Sequence, residues 1–497
     1  MTQPTELVVV GAGPGGYTAA FLAADLGMKV TLIDEAPHPG GVCLYRGCMP
    51  SKALLHVAKV LTEAQEASQW GISFGEPKVD LDRLRSWKSE VVSALTGGLG
   101  QLTQQRKIEY VQGRASLVDS NRVAVALEDG SPREIRFDHA ILATGSRPAR
   151  PAALAVQHDR ILDSTGALDV KRIPPRLLVV GGGYIGLELG SVYAALGSAV
   201  TVVEMTQALL PGVDADLVRV FARRFGALAE AVHLNTTVTH LAPTDDGVDV
   251  RLEGPDVPAE PQRFDEVLVA VGRVPNSDIE GVDRTAVEVD SRGFIEVDAQ
   301  RRTAERSLFA IGDLAGEPML AHKAFHEARV AVETIAGQTV AFEPLVIPAV
   351  VFTDPEIAWC GLTEAQAKAE GRTVSTARFP WGASGRAVTI SRTDGMTKLL
   401  VDKESESILG VGIVGPGAGE LIAEGVVAIE MGATIPDLTQ CIHPHPTLSE
   451  TILESAESFL GLSTHVYKPS RRAGGSSRTT RRRVSWPGRA RRPASAA

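Results

Sequence analysis

Cysteine is scarce in this sequence, with four residues among 497, namely Cys43, Cys48, Cys360 and Cys441. So few thiols exclude a disulfide-stapled scaffold, and a closely spaced pair of them needs a chemical explanation. Long apolar runs are also missing, because no stretch approaches the roughly 18 uninterrupted apolar residues of a membrane-spanning helix. We therefore expect a protein that contacts no membrane.

We also expect no targeting leader, since the first strand-like run, Leu7 to Val10, begins soon after Met1. The cytoplasm is the expected location. Acid is missing from residues 470–497, which hold nine arginines, so the net charge of -10 becomes -19 over residues 1–469. A body this acidic does not attract nucleic acid, and the Arg-rich tail, 469–497, is expected to be disordered.

What the sequence does have is two copies of one local pattern. Residues 7–34 are predicted to form a strand, a glycine-rich turn, a helix and a second strand, and the same order returns at 177–204. The length of the chain indicates about three or four domains. We therefore expect an α/β fold with two dinucleotide-binding units and two nucleotide-like cofactors.

In the first unit, Gly11, Gly13 and Gly16 follow the strand and open the helix. A pyrophosphate can then approach the backbone and lie against the helix N-terminus. Asp34 ends the next strand, where a carboxylate accepts hydrogen bonds from ribose hydroxyls. A tight turn that only packs a helix is the alternative interpretation.

In the second unit, Gly181, Gly183 and Gly186 repeat the turn, and Glu204 repeats the acid. A site for the 2′-phosphate of NADP would favour arginine next to this acid, whereas residues 205–207 are Met, Thr and Gln. The second unit is therefore predicted to bind NAD.

The segment GGVCLYRGCMPSKALLH places Cys43 and Cys48 five positions apart, immediately before and within the start of a predicted helix. A helix N-terminus lowers a thiol pKa, and the thiolate is the species that attacks a disulfide, so the pair is suited to redox cycling. Zinc is the main alternative, but it normally takes four ligands, and Cys360 and Cys441 stand alone. We interpret those two as small buried hydrophobes and expect no metal.

These motifs resemble those of the class I pyridine nucleotide-disulfide oxidoreductases, and most of all the members that oxidise dihydrolipoyl groups. The similarity covers nearly all of residues 5–468. Besides the cysteine segment, it rests on ILATGSRP at 141–148, GGGYIGLELG at 181–190, VAVGRVPN at 269–276, FAIGD at 309–313, MLAHK at 319–323 and HPHPTLSE at 443–450. Tyr45 and Arg46 depart from the family, where Asn-Val is common, and Arg46 either stabilises a thiolate or faces solvent.

The resemblance implies FAD in the first unit and NAD in the second, with Asp313 near the flavin ribityl chain. It also implies that Lys52 approaches the isoalloxazine and pairs with Glu188, whereas without it Lys52 is best interpreted as a solvated helix residue. Weaker matches lie beside the cofactors: Ala115, Thr144, Gly145 and Ala321 near FAD, and Val238 and Gly272 near NAD.

The same resemblance divides the chain into domains. We expect an FAD-binding domain at 1–150, an NAD-binding domain at 151–270, a central domain that completes the FAD site at 271–344 and a C-terminal α+β dimerisation domain at 345–468. The predicted fold class is thus α/β, with two Rossmann-like domains and a dimerisation domain.

His445 lies in HPHPTLSE, where prolines hold an extended segment before a predicted helix at 449–460. Oxidising a dithiol requires a base near neutral pH, which suits histidine, and Glu450 would orient its ring. On the residues alone, a capping box begun by Thr447 is the preferred interpretation of Glu450, and His443 is as good a candidate for the base as His445. In the family the second histidine is the base and acts across a dimer interface, which implies a homodimer.

The resulting hypothesis is an enzyme that oxidises protein-bound dihydrolipoyl groups through a Cys43–Cys48 disulfide and FAD, and reduces NAD. The implied partners are lipoyl domains of 2-oxoacid dehydrogenase complexes or the lipoyl carrier of the glycine cleavage system. A reductase of another disulfide, such as glutathione, and a nucleotide-binding scaffold without turnover are the alternatives. Glu204 argues against an NADP-driven reductase, and the retained cysteines argue against a scaffold.

Overall fold

Short apolar runs rich in β-branched residues form the strands of this protein, and alanine-rich or amphipathic segments form its helices. The computed structural model describes residues 5–127 and 129–467. The strands are β1 Thr5–Val10, β2 Val30–Asp34, β3 Glu109–Asp119, β4 Arg122–Leu127, β5 Pro132–Leu142, β6 Ser146–Pro148, β7 Ile161–Leu162, β8 Arg176–Val180, β9 Ala199–Val203, β10 Ala231–His233, β11 Thr237–Thr244, β12 Gly247–Glu253, β13 Gln262–Phe264, β14 Glu266–Val269, β15 Arg273–Pro275, β16 Leu308–Ala310, β17 Ala349–Val351, β18 Ile357–Gly361, β19 Val374–Pro380, β20 Met396–Asp402 and β21 Ile408–Val414.

The helices connect these strands, and several of them pack on the parallel sheets. They are α1 Pro14–Asp25, α2 Gly41–Arg46, α3 Cys48–Glu66, α4 Leu81–Gln105, α5 Ser164–Leu168, α6 Tyr184–Leu196, α7 Ala215–Leu228, α8 Ala321–Ile335, α9 Glu364–Ala369, α10 Gly385–Thr389, α11 Ala418–Glu430, α12 Ile435–Gln440 and α13 Glu450–Leu460. In the described part of the chain, none of them is both long and apolar enough to cross a membrane.

The first sheet is parallel along the order β3, β2, β1, β5 and β16. Strand β4 pairs antiparallel with extensions of both β3 and β5. Buried alanines of α1 and α8 let both helices pack closely on one face of the sheet. Strand β16 comes from the region predicted to complete the FAD site, and it pairs with β5 through Phe309 and Ile141.

The second sheet is parallel throughout, in the order β10, β9, β8, β14 and β7. Helix α6 packs against it with buried Leu187, Val192 and Tyr193, and α7 adds a stacked pair, Phe221 and Phe225. The antiparallel sheet of β11, β12 and β13 covers the other face. Each parallel sheet thus ends its first strand at a glycine turn followed by a helix.

The third unit is an antiparallel sheet in the order β17, β18, β21, β20 and β19. Its core lies under α11 and α13, where Ile422 and Ile452 are buried. The predicted fold class, two Rossmann-like units followed by an α+β unit, is confirmed. The domain boundaries stay predictions, and the predicted disordered tail lies outside the described residues.

Candidate active site

The turn after β1 is shaped by glycine. Gly11 has φ +96°, and a Cβ atom there would lie 2.3 Å from the Ala143 carbonyl oxygen. A Cβ at Gly16 would lie 1.8 Å from the Gly11 carbonyl oxygen, so this glycine allows α1 to pack on its own strand. Gly13 caps α1 without a side-chain hydrogen bond. The helix N-terminus therefore keeps backbone N–H groups for an anion.

Asp34, at the end of β2, is tied to this turn. Its Oδ2 accepts a hydrogen bond from the Ala12 N–H at 2.6 Å, and its Oδ1 accepts one from the Ala36 N–H at 2.9 Å. Each carboxylate oxygen can accept a further hydrogen bond. The acid is thus held rigidly against the glycine turn.

A cavity of about 540 Å3 runs from the glycine turn to the two cysteines. Its size lies within the usual range of about 300–1,000 Å3 for cofactor sites. The residues predicted near FAD that line it are Gly11, Gly13, Asp34, Lys52, Ala115, Thr144, Gly145, Asp313 and Ala321. Gly16 lies outside the lining, in agreement with its packing role.

The turn after β8 repeats this geometry. A Cβ at Gly181 would lie 2.4 Å from the Ala270 carbonyl oxygen, and one at Gly186 would lie 2.2 Å from the Gly181 carbonyl oxygen. A Cβ at Gly183 would meet open space, and this residue caps α6 without a side-chain hydrogen bond. A second free helix N-terminus therefore faces outward from the second sheet.

Glu204 repeats the arrangement of Asp34. Its Oε2 accepts a hydrogen bond from the Gly182 N–H at 2.6 Å, and its Oε1 accepts one from the Thr206 N–H at 2.8 Å. Val238 lies in β11 opposite Leu252. The second-unit residues predicted near NAD that lie outside the 540 Å3 cavity are Gly181, Gly183, Gly186, Glu204, Val238 and Gly272.

The two cysteines lie on successive helices. Cys48 begins α3 as predicted, but Cys43 lies inside the short helix α2 rather than before a helix. Gly47 separates the two helices. A larger residue would not fit there, because its Cβ atom would lie 2.9 Å from the Val42 carbonyl oxygen. Both thiols line the cavity.

The environment separates the two thiols chemically. A hydrogen bond from the Cys43 thiol and the charge of the Lys52 ammonium together lower the pKa of Cys48 to about 7, against the opposing effect of burial. That hydrogen bond and burial raise the pKa of Cys43 well above its ordinary value. Cys48 is therefore the thiol that carries the negative charge in the reduced pair.

Lys52 lies one turn after Cys48 on α3. Its Nζ is 2.8 Å from Glu188 Oε2 on α6 and 4.4 Å from the centre of the Phe352 ring. The backbone N–H of Phe352 donates to the other oxygen of Glu188 at 3.0 Å. The expected Lys52–Glu188 contact is present, and Lys52 is not a freely solvated residue. Phe352 is a third member of the contact, and no motif in the sequence predicts its place there.

His445 and Glu450 form a pair at the opposite end of the chain. Glu450 Oε1 lies 2.8 Å from His445 Nδ1, and its Oε2 accepts the Thr447 N–H at 2.8 Å. Burial raises the pKa of Glu450, but the hydrogen bonds from Thr447 and His445 outweigh it and hold that pKa below its ordinary value. Glu450 thus orients the ring and also caps the chain before α13.

The capping box predicted from Thr447 forms only in half. Ser449 is the N-cap of α13 and makes no side-chain capping bond, while the Thr447 hydroxyl donates to the Pro444 carbonyl. The backbone turns once more before the helix begins, which moves the cap by two residues. The carboxylate half of the interpretation, Glu450 to Thr447, holds.

The structure also separates the two candidate bases. The His443 side chain is 7% exposed, with Nε2 at 2.8 Å from Glu424 Oε1 and Nδ1 at 3.1 Å from the Cys441 carbonyl oxygen. The His445 side chain is 71% exposed. His445 is therefore the histidine whose ring is accessible to a substrate.

A sequence model described as pyridine nucleotide-disulphide oxidoreductase matches residues 5–328, and a model of that family's dimerisation domain matches residues 347–456. The chain belongs to this family. Dihydrolipoyl dehydrogenase of Vibrio cholerae is 48% identical over 461 residues, which cover 93% of this chain and 97% of that protein. Dihydrolipoyl dehydrogenase of Haloferax volcanii is 45% identical over 465 residues, 93% of this chain and 98% of that protein.

Solved structures agree with the sequence comparison. The crystal structure of LpdA from Mycobacterium tuberculosis has a TM-score of 0.85 at 28% identity and covers 92% of this chain and 99% of its own. The HOCl-induced flavoprotein disulfide reductase RclA from Escherichia coli has a TM-score of 0.80 at 25% identity, with the same coverage. The predicted oxidoreductase class and the predicted cofactors, FAD and NAD, are confirmed by this membership.

A group of residues in this pyridine nucleotide-disulphide oxidoreductase lies only partly within the motifs, which contain Gly312 and Lys323 but not Glu327 or Arg301. Glu327 Oε2 accepts the Gly312 N–H at 2.6 Å, and Lys323 Nζ donates to the Gly312 carbonyl at 3.0 Å. Both side chains are buried on α8, and Arg301 pairs with Glu327 at 2.9 Å. This clamp fixes the turn that directs Asp313 into the cavity. The sequence signal for this clamp was the spacing of two opposite charges, Lys323 and Glu327, four residues apart on a helix.

The two remaining cysteines differ from each other. Cys360 is a buried hydrophobe as predicted, and burial raises its pKa to about 12. The same prediction is wrong for Cys441, which is exposed after α12. It follows the last turn of a short helix, and only its Sγ contact with the Asp437 carbonyl covers it.

In this oxidoreductase, one cluster of carboxylates is spaced like the ligands of a metal ion, but a lysine side chain lies among them. Asp214, Asp216 and Glu364 hold ligand oxygens within 4.8 Å of one another. The Lys398 Nζ lies 2.6 Å from both aspartates and 2.9 Å from the glutamate. The cluster is therefore an ion-pair network that joins α7 to the C-terminal sheet.

Proposed function

We propose that this chain is a dihydrolipoyl dehydrogenase, which oxidises protein-bound dihydrolipoyl groups and reduces NAD. The observation that carries the proposal is the Cys43–Cys48 pair, in which Cys48 begins α3 beside Lys52 and has a pKa lowered to about 7. The relatives from Vibrio cholerae and Haloferax volcanii, both dihydrolipoyl dehydrogenases, match along almost their whole length.

The chemistry begins with the oxidised Cys43–Cys48 disulfide. A dihydrolipoyl thiolate attacks Cys43, which breaks the bond between the cysteines, forms a mixed disulfide and leaves Cys48 as the thiolate. His445 of the partner subunit accepts the proton of the second substrate thiol, and Glu450 stabilises the resulting cation. The second substrate sulfur then displaces Cys43 and closes the cyclic disulfide. The cysteines have gained the two electrons that the substrate lost.

FAD, when bound, supplies the two-electron carrier between the reduced cysteines and NAD. We assign its pyrophosphate to the turn at Gly11 and Gly13, with Gly16 packing the helix, and its ribose to Asp34. The flavin end is assigned to Lys52 and Asp313. The cavity that joins these residues to the cysteines supports the assignment.

We assign NAD to the second glycine turn. Gly183 at the free N-terminus of α6 is open to a pyrophosphate, Gly181 and Gly186 shape the turn, and Glu204 selects a ribose without a phosphate. Val238 and Gly272 are assigned to the neighbourhood of NAD by their match to the family. We place Glu188 in the same vicinity because it contacts Lys52, which we assign to the flavin end where the two cofactors would meet.

We infer a homodimer. The chain carries the family's dimerisation domain, and His445 is not among the residues that line the cavity of its own chain. Apolar side chains are exposed on the same loop, with Ile442 at 99%, and at the end of α11, which His443 joins to that loop, with Val427 at 61% and Met431 at 79%. A second copy that covers these side chains would bring its base to the cysteines.

The expected partners beyond a second copy are the lipoyl domains of 2-oxoacid dehydrogenase complexes or the lipoyl carrier of the glycine cleavage system. Both present the same dithiol on a protein arm. The cytoplasmic location stays a prediction.

The assay mixes purified protein, NAD and dihydrolipoamide and follows NADH absorbance. We expect turnover, and we expect its loss in Cys43→Ser and Cys48→Ser. Reduction of glutathione disulfide by NADPH without dihydrolipoamide oxidation would instead assign a different disulfide substrate. No turnover in either assay would indicate a scaffold.

A further inference from the structure

We propose that His443 and Glu424 are positioning residues that hold the loop carrying the base His445. The inference deepens the proposed function and rests on it. The loop spans residues 441–449, between the last residue of α12 and the first residue of α13. It must present one ring at a defined place, although most of its surface is exposed.

The first support is the fixation of the His443 ring at both nitrogens. Nε2 faces the Glu424 carboxylate at 2.8 Å, and Nδ1 faces the Cys441 carbonyl at 3.1 Å. Both partners are acceptors, so the ring satisfies both contacts when each nitrogen carries a proton. Neither nitrogen is left to exchange a proton with a thiol. His443 is thus an anchor and His445 the base.

The second support is the contrast along the loop. The His443 side chain is buried, whereas its neighbour Ile442 is almost fully exposed and His445 is mostly exposed. The pair His445–Glu450 lies within the loop and the first residue of α13. It orients the ring relative to α13 only. The His443–Glu424 hydrogen bond ties the loop to a different helix, α11.

The third support is the position of Glu424 on α11. Val427 lies one turn further along the same face of that helix, Met431 directly follows its last residue, and both are exposed. They belong to the apolar surface that we infer to meet a second copy. The anchor therefore sets the base relative to the helix that forms the contact. A misplaced loop would put His445 at the wrong distance from the partner's cysteines.

The test compares two reactions of the same holoenzyme. Oxidation of dihydrolipoamide by NAD needs the base, whereas reduction of ferricyanide by NADH needs only the bound cofactors. We expect His443→Leu and Glu424→Ala to lower kcat for dihydrolipoamide by about 10- to 100-fold, the range of a misplacement of about 1 Å. Ferricyanide reduction should stay within about twofold of the unmodified enzyme, since no thiol proton moves in it.

Glu424→Gln is the conservative variant. Its amide oxygen can still accept the hydrogen bond from His443 Nε2, so it should recover most of the turnover that Glu424→Ala loses. His158→Leu is the matched control, because it removes another histidine that lies 3.2 Å from a carboxylate, that of Asp159. It lies outside the dimerisation unit and should change neither reaction.

Two results would overturn the inference. One is a His443→Leu enzyme with unchanged dihydrolipoamide turnover, which would show that the loop needs no anchor. The other is a parallel fall in both reactions, which would indicate general damage to the fold. A failure of the proposed function is recognised separately, because the unmodified enzyme itself would then not oxidise dihydrolipoamide while it still reduced ferricyanide.

Discussion

The Nζ atom of Lys52 lies 2.8 Å from Glu188 Oε2, and this contact joins the helix of the cysteine pair to the helix of the second glycine turn. Glu188 is buried, and its second oxygen is held by the Phe352 N–H. The contact therefore brings together three regions of the chain that are far apart in sequence. It also fixes a cation one turn from Cys48.

We expect Lys52→Met to raise the pKa of Cys48 above its value of about 7, because the ammonium lowers that pKa. The fraction of Cys48 that is thiolate at pH 7 then falls, from about one half at a pKa of about 7 to about one tenth when that pKa rises by one unit. The rate of alkylation of Cys48 by iodoacetamide, measured against pH in the reduced enzyme, reports the change. The midpoint should move to higher pH.

Lys52→Met leaves the Glu188 carboxylate buried and unpaired, which itself destabilises the protein. The double variant Lys52→Met, Glu188→Gln removes that carboxylate and serves as the control. Because the Glu188 carboxylate itself raises the Cys48 pKa, the reference for the double variant is Glu188→Gln alone. If these two variants share one alkylation midpoint, then Lys52 does not set the Cys48 pKa through its charge.

Much of this site could be predicted because it depends on local backbone geometry. The glycine turns at Gly11 and Gly181 need a backbone that bulkier residues cannot adopt, and the acids Asp34 and Glu204 follow at a fixed distance along the chain. Cys48 at a helix start is likewise a local feature. Sequence patterns report such features directly.

What could not be predicted depends on contacts between distant segments. Phe352 meets Lys52 only because the C-terminal unit packs against α3, and no spacing in the sequence encodes this. The choice between His443 and His445 needed their burial, which the repeated His-Pro pattern hides. The prediction for Cys441 was wrong because it rested on the residue type alone. Cysteine is usually buried, but the residue type does not show that this one follows the end of a helix.

His445→Gln should lower kcat for dihydrolipoamide by about 10²- to 10⁴-fold, because the base that removes the thiol proton is lost. Glu450→Gln should have a smaller effect, since the amide oxygen still contacts the ring but no longer stabilises its cation. Steady-state NADH formation measures both changes.

Ser449→Ala is the control for this pair, because the Ser449 side chain makes no capping bond to α13. Its effect on the midpoint of thermal unfolding should be small, because most surface substitutions change the free energy of unfolding by about 0.5 kcal/mol or less. A large loss would mean that the contact between the Ser449 and Thr447 hydroxyls, 2.7 Å apart, holds the loop. A Glu450→Gln enzyme with full turnover would argue against any role of the carboxylate in catalysis.

Gly183→Ala should weaken NAD binding and leave the protein folded with its flavin. A Cβ at Gly183 meets no protein atom within 4 Å, so the only group that it can obstruct is one that approaches the free N-terminus of α6. Gly186→Ala should instead destabilise the second unit, because its Cβ would lie 2.2 Å from the Gly181 carbonyl oxygen.

The measurements are the affinity for NAD by titration, the flavin content by visible absorbance and the midpoint of thermal unfolding. Gly183→Ala should change only the first. Equal NAD affinity in Gly183→Ala and the unmodified enzyme would contradict the assignment of the NAD pyrophosphate to this turn.

Lys398 offers the last prediction, since it is fully buried and pairs with three carboxylates, two of which also contact Arg378. Its removal in Lys398→Met takes the buried cation away from all three and leaves only Arg378 beside Asp216 and Glu364, a loss of about 3–5 kcal/mol for a broken buried pair. That corresponds to a fall of about 5 °C or more in the midpoint of thermal unfolding at pH 7. Lys403→Met, at an exposed lysine just after β20, is the matched control and should change the midpoint little.

The loss should also depend on pH. Burial raises the pKa of Asp216, but hydrogen bonds from Lys398 and Arg378 outweigh it and hold that pKa below its ordinary value. A depressed pKa stabilises the fold above the ordinary value of about 3.9 and loses that effect as the pH falls. In Lys398→Met the crowded carboxylates repel one another, and protonation relieves them. The difference between the two proteins should therefore be largest near pH 7 and shrink below about pH 4, and a difference that grows towards acid would contradict the ion-pair network.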